Sequence, residues 1–298
     1  MKHTIFFMIL FAMTTTTFAQ QSEPLPQWKI GDATLYQIQD TASGFAAGTF
    51  SSVDKATFDK YATDGRVPSS VSAFLLKYTY GEYDIFILFD ATMGSANGGF
   101  VPNLEKAMGD KFVPENIPRI LITHLHGDHI GGLLISDARR FPNAKVYCSK
   151  PEYDHWIKQN NAAVERVKKA YSDDFCCEFE LDKPIRHPGK TEGSDILITP
   201  LTAFGHTPGH TVFLIESKGE KLMVVGDLLH AAALQFPLPE VCANFDMDKA
   251  EAVKSRRRIL DMAADENIPI AGIHFPSPGI GFVKKNGEGY EFTPIQEK

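Results

Sequence analysis

The sequence predicts an α/β fold, a mixed α+β domain that carries ligand-type side chains at the ends of its strands. Two observations predict it. Short apolar runs recur, and each stops at a histidine or aspartate: Ile120-Leu121-Ile122 before His124, Ile196-Leu197-Ile198 before His206, Leu222-Met223-Val224-Val225 before Asp227, and Ile268-Pro269-Ile270-Ala271 before His274. Open α/β sheets place their ligands beyond the carboxyl ends of their strands. Stretches with helical patterning separate the runs, the longest being residues 248–264.

In chain order, residues 1–19 read as a secretory signal peptide. Lys2 supplies positive charge, residues 5–13 are apolar, and Thr17-Phe18-Ala19 ends in a small residue before Gln20. The apolar run is too short to span a bilayer, so cleavage and export to a periplasm or the exterior are expected, without stable membrane insertion. Residues 20–28 read as a linker, and residues 29–298 as a single domain. Residues 29–39 predict a first strand. Residues 43–69, rich in Ser, Thr, Gly and Ala, read as a long loop edging a pocket. Strands over 71–80 and 83–89 form a hairpin around Gly81-Glu82. A helix over 103–108, a strand over 116–123, a strand over 144–148 and helices over 151–159 and 162–171 follow. Further strands fall at 196–201, 211–216 and 222–225. After the long helix, strands over 281–284 and 290–293 close the chain through the turn signal Asn286-Gly287.

Composition narrows the function. With 43% hydrophobic and 22% charged residues the 298-residue chain can bury a core. Its formal charge is −7, and Arg256-Arg257-Arg258 is the one cationic run. Three consecutive helical residues splay around the axis, so this run reads as a solvated face, and nucleic acid is not expected as a partner. Cys148, Cys176, Cys177 and Cys242 are expected as free, mostly buried thiols, with room for one disulfide in an exported chain. Cys176 and Cys177 are adjacent and do not readily bridge each other.

The strongest motif spans residues 123–132, Thr-His-Leu-His-Gly-Asp-His-Ile-Gly-Gly. His124, His126, Asp128 and His129 put four metal-ligand side chains on one short loop, of the types that bind Zn²⁺ and its first-row neighbours. Alternation on an extended segment turns His124 and His126 to one side. One ion does not easily use all four groups; two adjacent ions do. A pair of ions needs roughly seven or eight protein ligands. His206, Asp227 and His274, each after an apolar run, supply the remainder. No Gly-x-Ser-x-Gly nucleophile motif competes with this reading.

These residues resemble the metallo-β-lactamase superfamily over residues 30–295. The resemblance implies a four-layer αββα sandwich with a dinuclear centre. By it, His124, His126 and His206 hold one ion, Asp128, His129 and His274 hold the other, and Asp227 bridges them. Similarity is greatest to the branch with methyl parathion hydrolase and related lactonases and arylesterases. It is carried by Phe141-Pro142-Asn143-Ala144, His206-Thr207-Pro208-Gly209-His210-Thr211, Gly226-Asp227-Leu228, Ala233-Leu234-Gln235-Phe236 and His274-Phe275-Pro276-Ser277-Pro278-Gly279-Ile280-Gly281. Asp90 matches a buried aspartate that supports a ligand histidine. His210 is expected to be structural or supporting.

Zn²⁺ suits five histidines and two carboxylates, with Mn²⁺, Co²⁺ or Fe²⁺ as alternatives. Two such ions about 3.5–4 Å apart share a water and lower its pKa. The resulting hydroxide attacks a lactone or activated ester; Asp128 and Asp227 bias it, and either can take a proton. His230, three residues after Asp227, is expected to line the pocket with Trp156 and Phe275 and to favour a lactone or ester over an aryl phosphotriester, whose turnover is secondary. His155 and His187 are expected as ordinary surface residues. The competing readings are β-lactam hydrolysis, thioester hydrolysis and an inactive metal-binding protein. A homodimer is common in the resembling branch.

Overall fold

The computed structural model describes residues 24–189 and 195–296; the expected signal peptide lies outside the described residues. The chain opens with β1 (Gln27–Ile30) and β2 (Ala33–Ala46), so the expected first strand is a hairpin, turning at Gly31-Asp32. β2 pairs with β3 (Arg66–Tyr80) along its whole length, from Ala33↔Tyr78 to Ala46↔Arg66. The polar stretch expected as a loop therefore begins and ends as strand, because backbone pairing does not require apolar side chains. Only the segment between the two strands crosses the surface. It contains α1 (Lys55–Asp59), which Asp54 caps by accepting from Thr57 N at 2.9 Å.

β4 (Tyr83–Phe89), α2 (Phe100–Met108) and β5 (Arg119–Leu121) precede the motif loop, which carries α3 (Gly127–Ile130). A short hairpin, β6 (Leu134–Ile135) and β7 (Ala138–Arg139), leads to β8 (Lys145–Cys148), α4 (Lys150–Trp156), α5 (Ala162–Tyr171) and β9 (Phe175–Glu178). The second half comprises β10 (Ile185–His187), β11 (Ile196–Thr202), β12 (Thr211–Ser217), β13 (Glu220–Val224), α6 (Ala232–Gln235), α7 (Lys249–Asp265), β14 (Ile270–Ala271), β15 (Ile280–Asn286) and β16 (Gly289–Pro294). The strands form two seven-stranded sheets, ordered β1-β2-β3-β4-β5-β8-β9 and β10-β11-β12-β13-β14-β15-β16.

Side-chain alternation along the strands stacks these sheets into four layers. On β3 and β4, Phe74, Leu76, Ile87 and Phe89 point between the sheets and meet Phe213, Ile215, Leu222 and Val224. Their neighbours Ala73, Leu75, Phe86 and Leu88 point outward, against Leu104 of α2 and Val164 and Val167 of α5. On the far side, Met223 and Val225 meet Ile259, Leu260 and Ala263 of α7. Both faces of each sheet are thus covered, and each fully buried side chain of this kind contributes about 1.5–3 kcal/mol relative to exposure. The αββα sandwich is as the resemblance implies. β4, β5, β8 and β9 run parallel, as do β13 and β14. The sheets are joined where Ser70 N and Ser72 N donate to the carbonyls of His274 and Ile273, and where Thr211 N donates to that of Thr123.

Three expectations are corrected here. Cys148 and Cys176 form a disulfide that joins β8 to β9, and Cys242 is a buried free thiol. Arg256 is not on a solvated face: it is fully buried and donates to the carbonyls of Leu228, Pro239 and Val241. Its position on α7 faces the core, whereas Arg258 is exposed. His187 is buried rather than a surface residue, and its Nδ1 accepts a hydrogen bond from Arg119 Nη1 at 2.8 Å.

Candidate metal centre

The loops leaving β4, β5, β11, β13 and β14 converge at one end of the sandwich. The motif loop follows β5 and turns into α3, so His124 and His126 lie on its extended part while Asp128 and His129 lie in the first turn. His206 follows β11, and His274 follows β14. Asp227 follows β13 through Gly226, which has φ +54 and would place a Cβ 2.5 Å from His210 Nε2. A side chain is excluded there on both counts.

All seven expected ligands come together. His124, His126, His206 and Asp227 form one group with ligand atoms mutually within 4.8 Å, and Asp128, His129 and His274 form another. In the first group, His126 Nδ1 lies 2.8 Å from His124 Nε2 and 3.0 Å from His206 Nε2, and the last two are 3.1 Å apart. Asp227 spans both groups. Its Oδ2 lies 3.3 Å from His206 Nε2 and 3.6 Å from His124 Nε2, and its Oδ1 lies 3.1 Å from His129 Nε2 and 3.2 Å from His274 Nε2.

The outer nitrogens reveal the state of the rings. His129 Nδ1 donates to Asp90 Oδ2 at 2.9 Å, His206 Nδ1 to Asp246 Oδ1 at 2.8 Å and His274 Nδ1 to the Ser70 carbonyl at 2.8 Å. Thr123 donates its hydroxyl to Asp90, so its oxygen accepts from His124 Nδ1 at 3.1 Å. The inner nitrogens of these four rings therefore face one another and the Asp227 carboxylate. His129 Nε2 and Asp227 Oδ1 are buried with no hydrogen-bond partner among the described residues. Nitrogens and carboxylate oxygens packed this closely repel unless a proton or a cation lies between them. Divalent cations relieve that repulsion, and the donor set of imidazoles and carboxylates fits them.

Electrostatics agree. Burial opposes ionisation of Asp227, but His129, His274 and His124 around it hold the carboxyl well below its ordinary range. Burial, reinforced by His129, holds His124 well below its ordinary value and keeps it neutral. Burial also opposes a charge on His129, yet Asp227, Asp90 and Asp128 outweigh it and raise the ring well above its ordinary value. The pocket thus attracts positive charge.

Asp90 and His210 stand behind the ligand residues. Asp90, held at φ +57, accepts from Thr123 N as well as from His129, and His210 donates Nδ1 to the Ala203 carbonyl while its Nε2 accepts from Asp227 N. His230 lines the cavity: its Nε2 lies 3.1 Å from Asp227 Oδ2, and burial lowers its pKa. The cavity, about 360 Å³, is walled by Phe45, His126, Gly127, Asp128, Asp227, His230, Phe245 and His274. Trp156 and Phe275 do not line it. Trp156 stands behind His126, its ring centroid 5.2 Å away, and Phe275 packs between Phe236 and Phe292. Both are core aromatics, which residue type alone does not distinguish from pocket walls. His155 is half-buried and packs against Trp156.

Sequence reasoning missed three residues. Asp246 orients His206 and is braced by Ala243 N and by Arg256, 3.7 Å away; burial opposes its charge, but His206 brings its pKa down to about 2. Glu152 accepts four hydrogen bonds beneath the first group. Phe45 comes from the stretch expected as a loop. For Asp246 the signal was a second aspartate just before the α7 cap Asp248. For Glu152, the Ser149-x-x-Glu152 spacing reads as a helix capping box, which conceals it.

Comparison with known proteins agrees with this geometry. The Metallo-beta-lactamase superfamily profile matches residues 66–269. The crystal structure of hydrolase AbOPH of the beta lactamase superfamily superposes with a TM-score of 0.78 and 28% identity, covering 94% of this chain and 100% of that one. AidC, a dizinc quorum-quenching lactonase in complex with a product N-hexnoyl-L-homoserine, superposes with a TM-score of 0.77 and 27% identity, covering 92% and 98%. The uncharacterized protein YobT of Bacillus subtilis (strain 168) is 29% identical over 62% of this chain and 78% of its own. Site and comparisons agree: the chain belongs to the metallo-beta-lactamase superfamily and is a metal-dependent hydrolase.

Proposed function

We propose that the protein is an exported dinuclear hydrolase that opens lactones or activated esters. The observation that carries this reading is the position of Asp227, one carboxylate oxygen facing His124 and His206 and the other facing His129 and His274. Such a carboxylate is placed to hold two cations at once, and five histidines with two carboxylates suit zinc. Two bound ions would supply a water of near-neutral pKa and polarise a carbonyl oxygen. The remaining chemistry belongs to the chain. Asp128, with 31% of its side chain exposed, can take a proton released in the cavity. Phe45 and Phe245 give the cavity apolar walls that exclude water from the substrate. His230 donates Nε2–H to Asp227, which leaves its buried Nδ1 with a lone pair and no partner among the described residues. That atom can accept an N–H or O–H from a polar substrate.

The resemblance to AidC, described as a lactonase, supports a lactone substrate. The composition of residues 1–19 supports export. A zinc-loaded sample should turn over an acyl-homoserine lactone or dihydrocoumarin faster than a paraoxon-type phosphotriester. Turnover of nitrocefin alone would overturn the reading in favour of a β-lactamase. N-terminal sequencing of exported protein should begin near Gln20, and a mature protein retaining residues 1–19 would refute export.

A further inference from the structure

Beneath the first group of ligands lies a carboxylate with no cationic side chain paired to it among the described residues. Glu152, on α4, is fully buried. Its Oε1 accepts from Leu125 N at 2.9 Å and from Trp156 Nε1 at 2.6 Å. Its Oε2 accepts from Thr207 Oγ1 at 2.7 Å and from Gly209 N at 2.9 Å. Leu125 sits between His124 and His126, and Thr207 follows His206. One oxygen therefore grips the loop from the first sheet and the other grips the turn from the second. The fourth donor, Trp156, is the residue that backs the His126 ring.

The approach is close. A Cβ on Gly209 would lie 2.2 Å from Glu152 N, so the turn touches the start of α4 directly. Ser149, the cap of α4, also donates its hydroxyl to the Gly209 carbonyl at 2.7 Å. A buried charge without a counter-ion is costly unless hydrogen bonds satisfy it, and this one has four. Three of the four come from the two loops that carry His124, His126 and His206. None comes from Asp128, His129 or His274; His274 is held by the Ser70 carbonyl, and His129 by Asp90, which also holds Thr123 next to His124.

We propose that Glu152 is the positioning residue of the first ligand group, holding His124 and His126 in register with His206 across the two sheets. Its removal weakens the ion of that group and leaves the other in place. The inference rests on the two-ion reading above.

Stepwise zinc dissociation constants, measured by competition with a chromophoric chelator, test it in wild type, Glu152→Gln and Asp90→Asn. Histidine ¹⁵N NMR assigns each step, with His206 reporting the first group and His274 the second. An amide offers one acceptor oxygen, so Glu152→Gln turns an NH₂ toward one pair of donors. The expected result for Glu152→Gln is an increase of about tenfold or more in one constant, with metal lost from His206 before His274, whereas Asp90→Asn, which reaches both groups through His129 and Thr123, shows no such order. Equal weakening of both ions in Glu152→Gln, or no change in either, would overturn the proposal. Should Glu152→Gln fail to fold, Thr207→Val removes one donor and keeps the carboxylate, and the same selective loss is expected. A wild type that takes up a single ion defeats the two-ion reading. The Glu152 assignment then stands if Glu152→Gln weakens that ion at His206, and falls if it does not.

Discussion

Among the described residues, buried histidines occupy two regions, and those at one end gather into the candidate metal site. At the loop end, His129 and His206 donate their outer nitrogens to carboxylates and His274 donates to a carbonyl, so their inner nitrogens face the centre. Beside β5, His187 is as deeply buried, but it spends a lone pair on the Arg119 guanidinium. His210 makes the point at closer range. Its ring centroid is 5.8 Å from that of His206, yet its inner nitrogen accepts from Asp227 N. Burial and proximity therefore do not make a ligand; the direction in which the second nitrogen bonds does.

The strongest way to break the comparison is to remove the carboxylate that the inner nitrogens share. Asp227→Ala should lose at least one zinc per chain and lower the hydrolytic rate by about three orders of magnitude or more, the scale of a principal charge-stabilising group. Metal analysis alongside kinetics checks it. Full metal content with a normal rate would contradict the bridging position.

Next in size is the support behind His206. Arg256 is buried, satisfies three carbonyls and faces Asp246. Arg256→Met leaves Asp246 buried without its cation and should cost about 3–5 kcal/mol of stability, read from urea midpoints. If the difference between inner and outer nitrogens is as drawn, zinc affinity should fall as well, because His206 loses a firmly held acceptor.

How much of this was legible beforehand depended on spacing. His124, His126, Asp128 and His129 declared themselves because four ligand types crowd one loop, and His206, Asp227 and His274 because each ends an apolar run. Strands with alternating apolar residues and the Asp248-capped helix were legible for the same reason: the period is local. The supporting carboxylates were not. Asp246 and Asp248 are two residues apart and chemically identical, and only the fold decides that one caps α7 while the other turns to His206. Arg256 looked like its neighbours until α7 turned it inward. Cys176 and Cys177 were equivalent partners for Cys148 until β9 paired with β8.

His187 sharpens the comparison through pH. Burial, with Arg119 beside it, lowers its pKa to about 4, against an ordinary 6.5. Above about pH 6.5 the ring is neutral folded or unfolded and contributes nothing to the pH dependence. As pH falls below that value the unfolded chain takes a proton that the native ring refuses, so stability declines until about pH 4. Arg119 is the charged group facing the ring, and Tyr78 packs 6.4 Å away. His187→Phe should therefore flatten the acid limb of stability by about 1–3 kcal/mol and leave zinc content unchanged. A loss of zinc would place His187 with the ligands after all.

The smallest effect concerns the histidine that belongs to neither class. His230 donates to Asp227 but has no partner on Nδ1 among the described residues, and its ring stacks on His274 and meets Phe245 edge-on at 4.7 Å. Its Nε2 is turned toward the shared carboxylate, and its Nδ1 is committed to no amide. Apart from the ligand residues and Gly127 the cavity wall is aromatic, and this nitrogen is the buried polar atom that the described non-ligand side chains leave there without a partner. A lactone with an amide side chain can satisfy it; an aryl phosphotriester, which has no donor, leaves it unpaired. His230→Leu removes the unpaired atom and should shift the ratio of lactone to phosphotriester turnover by about tenfold toward the phosphotriester, roughly one hydrogen bond's worth. Since Asp227 keeps its other neighbours, zinc content should not change. A ratio unchanged with metal intact would show that His230 packs against the ligands without meeting the substrate.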